Sequence, residues 1–109
     1  MGKFVIKKRI NGDFQFNLEA DNSPVILTSE GYSSKNGCTS GIESVRKNAP
    51  DNNRYEKKIS SNQKHFFNLK AGNGEIIGTS EMYESTYGRD IGIASVKANA
   101  TDATVEYLA

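Results

Sequence analysis

Shifted by 51 positions, this sequence of 109 residues falls on itself without a gap. Phe16-Asn17-Leu18 meets Phe67-Asn68-Leu69, and Ala20 and Asn22 meet Ala71 and Asn73. Thr28-Ser29-Glu30 meets Thr79-Ser80-Glu81, and Tyr32 meets Tyr83. Gly41-Ile42, Ser44-Val45 and Asn48-Ala49 meet Gly92-Ile93, Ser95-Val96 and Asn99-Ala100. The register also extends upstream, with Phe4 over Tyr55, Lys7 over Lys58 and Asn11 over Asn62. Such a register marks a tandem duplication of one supersecondary unit. Two copies are too few for a solenoid, which needs three or more to bury its faces. The halves are therefore expected to pool their apolar faces in one domain. Residues 1–58 form the first repeat and 54–109 the second, with the strand 54–59 shared. Neither half is expected to fold as a monomer by itself.

Within one unit, Lys3 to Arg9 reads as a strand followed by Asn11-Gly12, a hairpin signal because both residues tolerate positive φ. Phe14, Phe16, Leu18 and Ala20 alternate with Gln15, Asn17 and Glu19, the period of a half-buried strand. Asp21-Asn22-Ser23-Pro24 is a turn, and Val25 to Thr28 a third strand. The second copy runs Arg54 to Ile59, a turn near Asn62-Gln63, then His65, Phe67, Leu69 and Ala71 on one face. A turn at Gly72-Asn73-Gly74 and the strand at Ile76-Ile77 follow. Then the period changes. Ile42, Val45 and Ala49, like Ile93, Val96 and Ala100, fall at helical spacing. Ser33, Ser34 and Ser85 stand where an N-cap belongs, and Asn48 and Asn99 where a left-handed C-cap would fit. Pro50 ends the first helix, and Thr104 to Leu108 closes the second unit. The fold class is α+β: one mainly antiparallel sheet with two helices on one face. The wet face carries Gln15, Asn17, Glu19, Asn68 and Lys70, with Phe66 out of pattern. Gly41 and Gly92 within the helices point to close approach of helix backbone and sheet, since a mid-helix glycine costs about 1 kcal/mol against alanine.

The motif T-S-E-x-Y followed by G-I-x-S-V-[RK]-x-N occurs at Thr28–Tyr32 with Gly41–Asn48, and again at Thr79–Tyr83 with Gly92–Asn99. With Arg54-Tyr55-Glu56-Lys57-Lys58 between the units, it makes the chain resemble the YegP-like family of small bacterial proteins. The resemblance implies tandem β(3)-α-β units sharing one sheet, the last strand of each exchanged into the other unit. Single-unit relatives would reach the same arrangement by dimerising. It implies no activity. Gly37 and Gly88, early in the helices, depart from the pattern and bear on where each helix begins.

Bulk properties narrow the function. The net charge is +1, from 14 basic and 13 acidic residues, which argues against a strongly electrostatic partner. Cys38 is the one cysteine, so an intramolecular disulfide is impossible and a reducing compartment is the natural setting. No apolar run approaches a membrane span, and the first residues lack a signal-peptide core. A soluble, cytoplasmic monomer without cofactor or metal is the expectation.

Candidate chemistry is sparse. His65 is the only histidine, and its counterpart is Phe14; one histidine makes no usual zinc site, so a strand residue at the core rim is the simpler reading. Cys38, opposite Arg89, has no base nearby in sequence, although a helix N-terminus can acidify a thiol. Gly72-x-Gly74-x-x-x-Gly78 lies between strands, which makes it a hairpin turn instead of a phosphate loop. Glu30 and Glu81 would do acid/base work only if held about 5 to 10 Å apart; otherwise each is a carboxylate favoured near a helix N-terminus. The loops Ser29-Glu30-x-Tyr32 and Ser80-Glu81-x-Tyr83 lead into helices and could hold a small anion, with Arg46 and Lys97 farther along. Lys3, Lys7, Lys8, Arg9, Lys57, Lys58 and Lys64, interleaved with Phe4 and Tyr55, could stack on nucleic acid. More simply, they protect sheet edges. The expectation is a small non-enzymatic binding or interaction module with pseudo-two-fold symmetry. A weak nucleic-acid binder is the alternative, and an enzyme using Glu30 and Glu81 comes third.

Overall fold

A computed structural model describes residues 2–21 and 24–108. Seven strands form one sheet: β1 (Lys3–Lys8), β2 (Phe14–Glu19), β3 (Val25–Ser29), β4 (Tyr55–Ile59), β5 (His65–Lys70), β6 (Ile76–Thr79) and β7 (Thr104–Tyr107). Helices α1 (Lys35–Asn48) and α2 (Thr86–Ala100) cross its single covered face. The strand order is β4-β5-β6-β3-β2-β1-β7. All neighbours are antiparallel except β1 and β7, which run parallel. The repeats meet at the centre, where Thr28 pairs with Thr79 and Ser29 with Gly78, and a pseudo-two-fold axis passes between β3 and β6. Each helix carries the chain to the other half. From β3, α1 leads to β4 beside β5; from β6, α2 leads to β7 beside β1.

Period-two alternation drives the core. Phe4, Ile6, Phe16 and Leu18, with Phe67 and Leu69, are buried against Ile42, Val45, Ile93 and Val96. Phe4 meets Phe16 edge-on at 5.6 Å, and Tyr55 meets Phe67 at 5.6 Å in the related position. Each buried aliphatic or aromatic side chain contributes about 1.5–3 kcal/mol of transfer free energy. The helix-free face is drier than the alternation suggests. Gln15, Asn17, Glu19 and Lys70 are half-buried there, as is Phe66 opposite Lys58. Asn68 is buried, accepting a hydrogen bond from Thr79 Oγ1 at 2.8 Å.

Ser34 and Ser85 cap the helices, accepting from the N–H groups of Gly37 and Gly88 at 3.0 Å each. Both glycines thus sit in the first turn of their helices, which begin at Lys35 and Thr86. The expected left-handed caps do not form. Ala49 and Thr101, the C-cap residues, are right-handed helical, and Asn48 and Asn99 turn inward and donate to the carbonyls of Ser44 and Ser95, 2.8 Å away. In the turns, Gly12, Gln63 and Gly74 take positive φ, while Asn11 does not. Asn11 instead accepts from Asp13 N–H at 3.0 Å. Of the expected turn 21–24, Asn22 and Ser23 lie outside the described residues. Arg54 belongs to a short 3₁₀ turn, Asn52–Arg54, that precedes β4.

Candidate functional site

The residues of the duplicated T-S-E-x-Y motif are occupied in holding the fold. Ser29 Oγ accepts from Phe16 N–H at 2.9 Å and donates to Glu30 O at 2.8 Å. Ser80 does the same with Phe67 N–H and Glu81 O, at 2.9 and 2.8 Å. Tyr32 exchanges backbone hydrogen bonds with Phe14, and Tyr83 with His65. The Tyr32 ring stacks 6.3 Å from Phe16. A Cβ at Gly41 would stand 2.3 Å from the Tyr32 hydroxyl, and one at Gly92 2.4 Å from that of Tyr83. The mid-helix glycines therefore make room for tyrosine rings wedged between helix and sheet. Burial pushes both phenol groups above their ordinary pKa.

Glu30 and Glu81 are exposed and do not converge. Each leaves its strand two residues past the Thr28–Thr79 pairing, in opposite directions, so about 13 Å of strand separates their positions. Burial pushes the Cys38 thiol up, and the side chain is wholly buried, which removes the acidified-nucleophile option. His65 is half-buried at the rim, and its Nδ1 has no hydrogen-bond partner among the described residues. Among those residues no group of three or more His, Cys, Asp or Glu could hold a metal ion. Lys3 pairs with Glu106, Lys57 with Asp90, Lys70 with Glu56 and, just before β5, Lys64 with Glu84, whereas Lys7, Lys8 and Lys58 have no carboxylate partner among the described residues.

What distinguishes the halves is their edges. The outer side of β1 is covered by β7, with Lys3 opposite Thr104, Phe4 opposite Val105 and Ile6 opposite Tyr107. Arg46, on α1, reaches across and donates to three backbone carbonyls, Ala100 at 3.1 Å, Thr101 at 2.9 Å and Ala103 at 2.9 Å. Its guanidinium lies 5.1 Å from the Phe4 ring. Around the axis, the corresponding side of β4 has no strand beside it among the described residues. A groove of about 370 Å³ lies there, lined by Asn52, Tyr55, Lys57, Asp90, Ile93 and Lys97. Lys97, the counterpart of Arg46, sits 5.6 Å over Tyr55, the counterpart of Phe4. It donates to Asn52 Oδ1, and Lys57 Nζ stands 3.6 Å from Asp90 Oδ1.

A model of the family described as a domain of unknown function, DUF1508, matches twice, over residues 10–56 and 60–106. The UPF0339 protein YegP of Escherichia coli is 52% identical over 96% of this chain and 96% of its own. The chain belongs to the YegP-like UPF0339 family. A UPF0339 protein from the ptx operon 5′ region of Stutzerimonas stutzeri is 54% identical over 95% of this chain and 94% of that protein. The solution NMR structure of a UPF0339 protein from Shewanella oneidensis superposes with a TM-score of 0.92 at 50% identity, covering 98% of this chain and 91% of that one.

In this YegP-like chain, then, the residues marked by repetition do not gather in one place. Of Ser29, Glu30, Tyr32, Ser80, Glu81, Tyr83, Arg46 and Lys97, Lys97 lines the groove and Arg46 grips the related segment. Tyr55 and Lys57 stand in the candidate stacking surface and Ile93 in the helix core stripe, whereas Asn52 and Asp90 carry no repeat signal. The readable signal was the opposite one, divergence at matched positions: Ile6 becomes Lys57, Thr39 becomes Asp90, Asn36 becomes Tyr87 and Ser40 becomes Ile91. Chemically, the site offers an unpaired strand edge, an aromatic floor and the Lys97 ammonium, which suits recognition of backbone.

Proposed function

We propose that this protein is a non-enzymatic interaction module and that its binding site is the groove between β4 and α2. The observation that carries the reading is the broken symmetry of the sheet: β7 completes one edge and, among the described residues, no strand completes the other. An exposed edge flanked by pockets is the usual platform for strand addition, where main-chain hydrogen bonds supply affinity and alternate side chains supply selectivity. Support also comes from the motif residues, which are consumed by packing, and from the absence of converging titratable groups at Glu30 and Glu81. The lysines paired with carboxylates give little support to a nucleic-acid surface.

The test is an NMR titration of the labelled protein with a panel of unrelated, blocked, extended hexapeptides. Shifts at Tyr55, Lys57, Ile93 and Lys97 are expected from at least some members. A panel that leaves the groove unperturbed at millimolar concentration rejects the module reading at this site.

A further inference from the structure

The geometry points to the occupant: an extended segment of a separate polypeptide, running parallel to β4 and resembling this chain's own Ala103–Leu108. The inference rests on the interaction-module reading and adds direction, register and chemistry to it. The molecule already displays a filled version of the site. Residues 104–107 occupy the edge of β1, with Ala103 just before them buried in the core and Tyr107 stacked 6.5 Å from Phe14.

The backbone of β4 presents the same groups to solvent that β1 presents to β7. Phe67 directs its N–H to Ser80 Oγ and its carbonyl to Ser80 N–H, so it exchanges no bonds with Lys57, its partner in β4. The N–H and carbonyl of Lys57 therefore face outward. Phe16, bonded to Ser29 Oγ, leaves Ile6 in the same position, and the Ile6 carbonyl accepts from Leu108 N–H at 2.9 Å. An added strand would meet Lys57 as Leu108 meets Ile6.

Direction follows from Lys97. It lies at the Asn52 end of the groove, where Arg46 in the other half holds the carbonyls that enter β7. A parallel occupant brings its leading carbonyls under the Lys97 ammonium, which has three donors to offer and now rests on an exposed asparagine. The far end of the occupant reaches His65, the counterpart of Phe14, where an aromatic residue in the Tyr107 position would stack. Nearby on α2, Tyr87 and Ile91 are 75% and 51% exposed, one turn apart, where α1 has Asn36 and Ser40. Helix α2 thus exposes apolar side chains where α1 exposes polar ones, area that a bound partner could cover. Lys57 and Lys58 keep indiscriminate strands away. A second copy of this chain is disfavoured as donor, because surrendering β7 would break the Arg46 grip and uncover β1.

The probe is the blocked peptide Ala-Thr-Val-Glu-Tyr-Leu, residues 103–108, added to the labelled full chain, with a scrambled peptide as control. Shifts are expected at Tyr55, Lys57, Ile93 and Lys97. A spin label on the peptide's N-terminus should broaden Asn53 and Lys97, and one on its C-terminus Ile59 and His65. Lys57→Pro, which leaves the β5 ladder intact because its N–H points outward, should weaken binding at least about tenfold. Lys97→Gln, which leaves the strand untouched, should weaken it severalfold and serves if the proline variant does not fold. A reversed label pattern, or groove shifts from panel peptides but none from this one, overturns the inference and leaves the module reading standing. Shifts confined to β1 and β7 mean exchange and overturn it as well. Self-association through the groove, abolished by Lys57→Pro, would replace the separate partner with a second copy and so overturn the assignment. Silence from every peptide rejects both readings.

Discussion

Gly41 and Gly92 show how one missing methyl group can hold two layers together. Alanine is the better helix former by about 1 kcal/mol, yet its Cβ would press into a tyrosine ring in both helices and, at Gly41, against the Phe16 ring as well. Overpacking of this kind typically costs about 1–3 kcal/mol, so it outweighs the propensity gain. Gly41→Ala and Gly92→Ala are each expected to lower stability, read as an earlier urea midpoint with an unchanged slope. A stabilising outcome would show that Tyr32 and Tyr83 can move aside. The serines at this scale are equally structural. Each saturates the N–H of a buried phenylalanine in mid-sheet, a group whose desolvation unpaired costs about 1–3 kcal/mol. Retention of Thr-Ser-Glu-x-Tyr in both halves pointed to these positions correctly as important. It could not say whether packing or binding had kept them, because a hydroxyl that closes a sheet and one that meets a ligand look alike in sequence.

Among the elements, β4 and β7 are the least buried strands, and side-chain pairs add to their backbone ladders. Glu56 is held below its ordinary carboxyl range chiefly by the Lys70 ammonium and then Asn68, and Asp90 by Arg89 with Lys57. Both groups titrate lower in the folded state than the ordinary 4.5 and 3.8. Their contribution is therefore present above those values and is lost as pH falls through the folded ones. Below about pH 4.5, hydrogen exchange corrected for intrinsic rates should show β4 loosening before the central β3 and β6; simultaneous loss would refute this. At the other edge, Arg46→Ala should remove charged hydrogen bonds to three carbonyls, costing at least about 2 kcal/mol, and expose the amides of Thr104–Tyr107. Arg46→Lys should restore part of that protection, since it keeps the cation over Phe4 but not the planar fork. Element types and order were legible from periodicity and caps. The strand order was not, because nothing local in Arg54–Ile59 or Thr104–Leu108 says which neighbour each will choose; only the family resemblance supplied the exchange.

For the whole molecule, the duplication implies that each half leaves its last strand in the other's sheet. Residues 1–59 produced alone are expected to be unfolded or dimeric in sedimentation, never a folded monomer; a stable folded monomer would contradict the shared-core reading. The groove stayed hidden in the sequence for a related reason. Repetition draws the eye to what two copies keep, whereas function at an open edge resides in what they do differently. The parallel pairing of β1 with β7 has a temporal consequence. Lys3 and Glu106 are 103 positions apart, so the outermost ladder joins chain made early in synthesis to chain made late. Until residue 107 has cleared the ribosome, β1 lacks its outer neighbour and offers a bare flank to whatever nascent or chaperoning polypeptide is near.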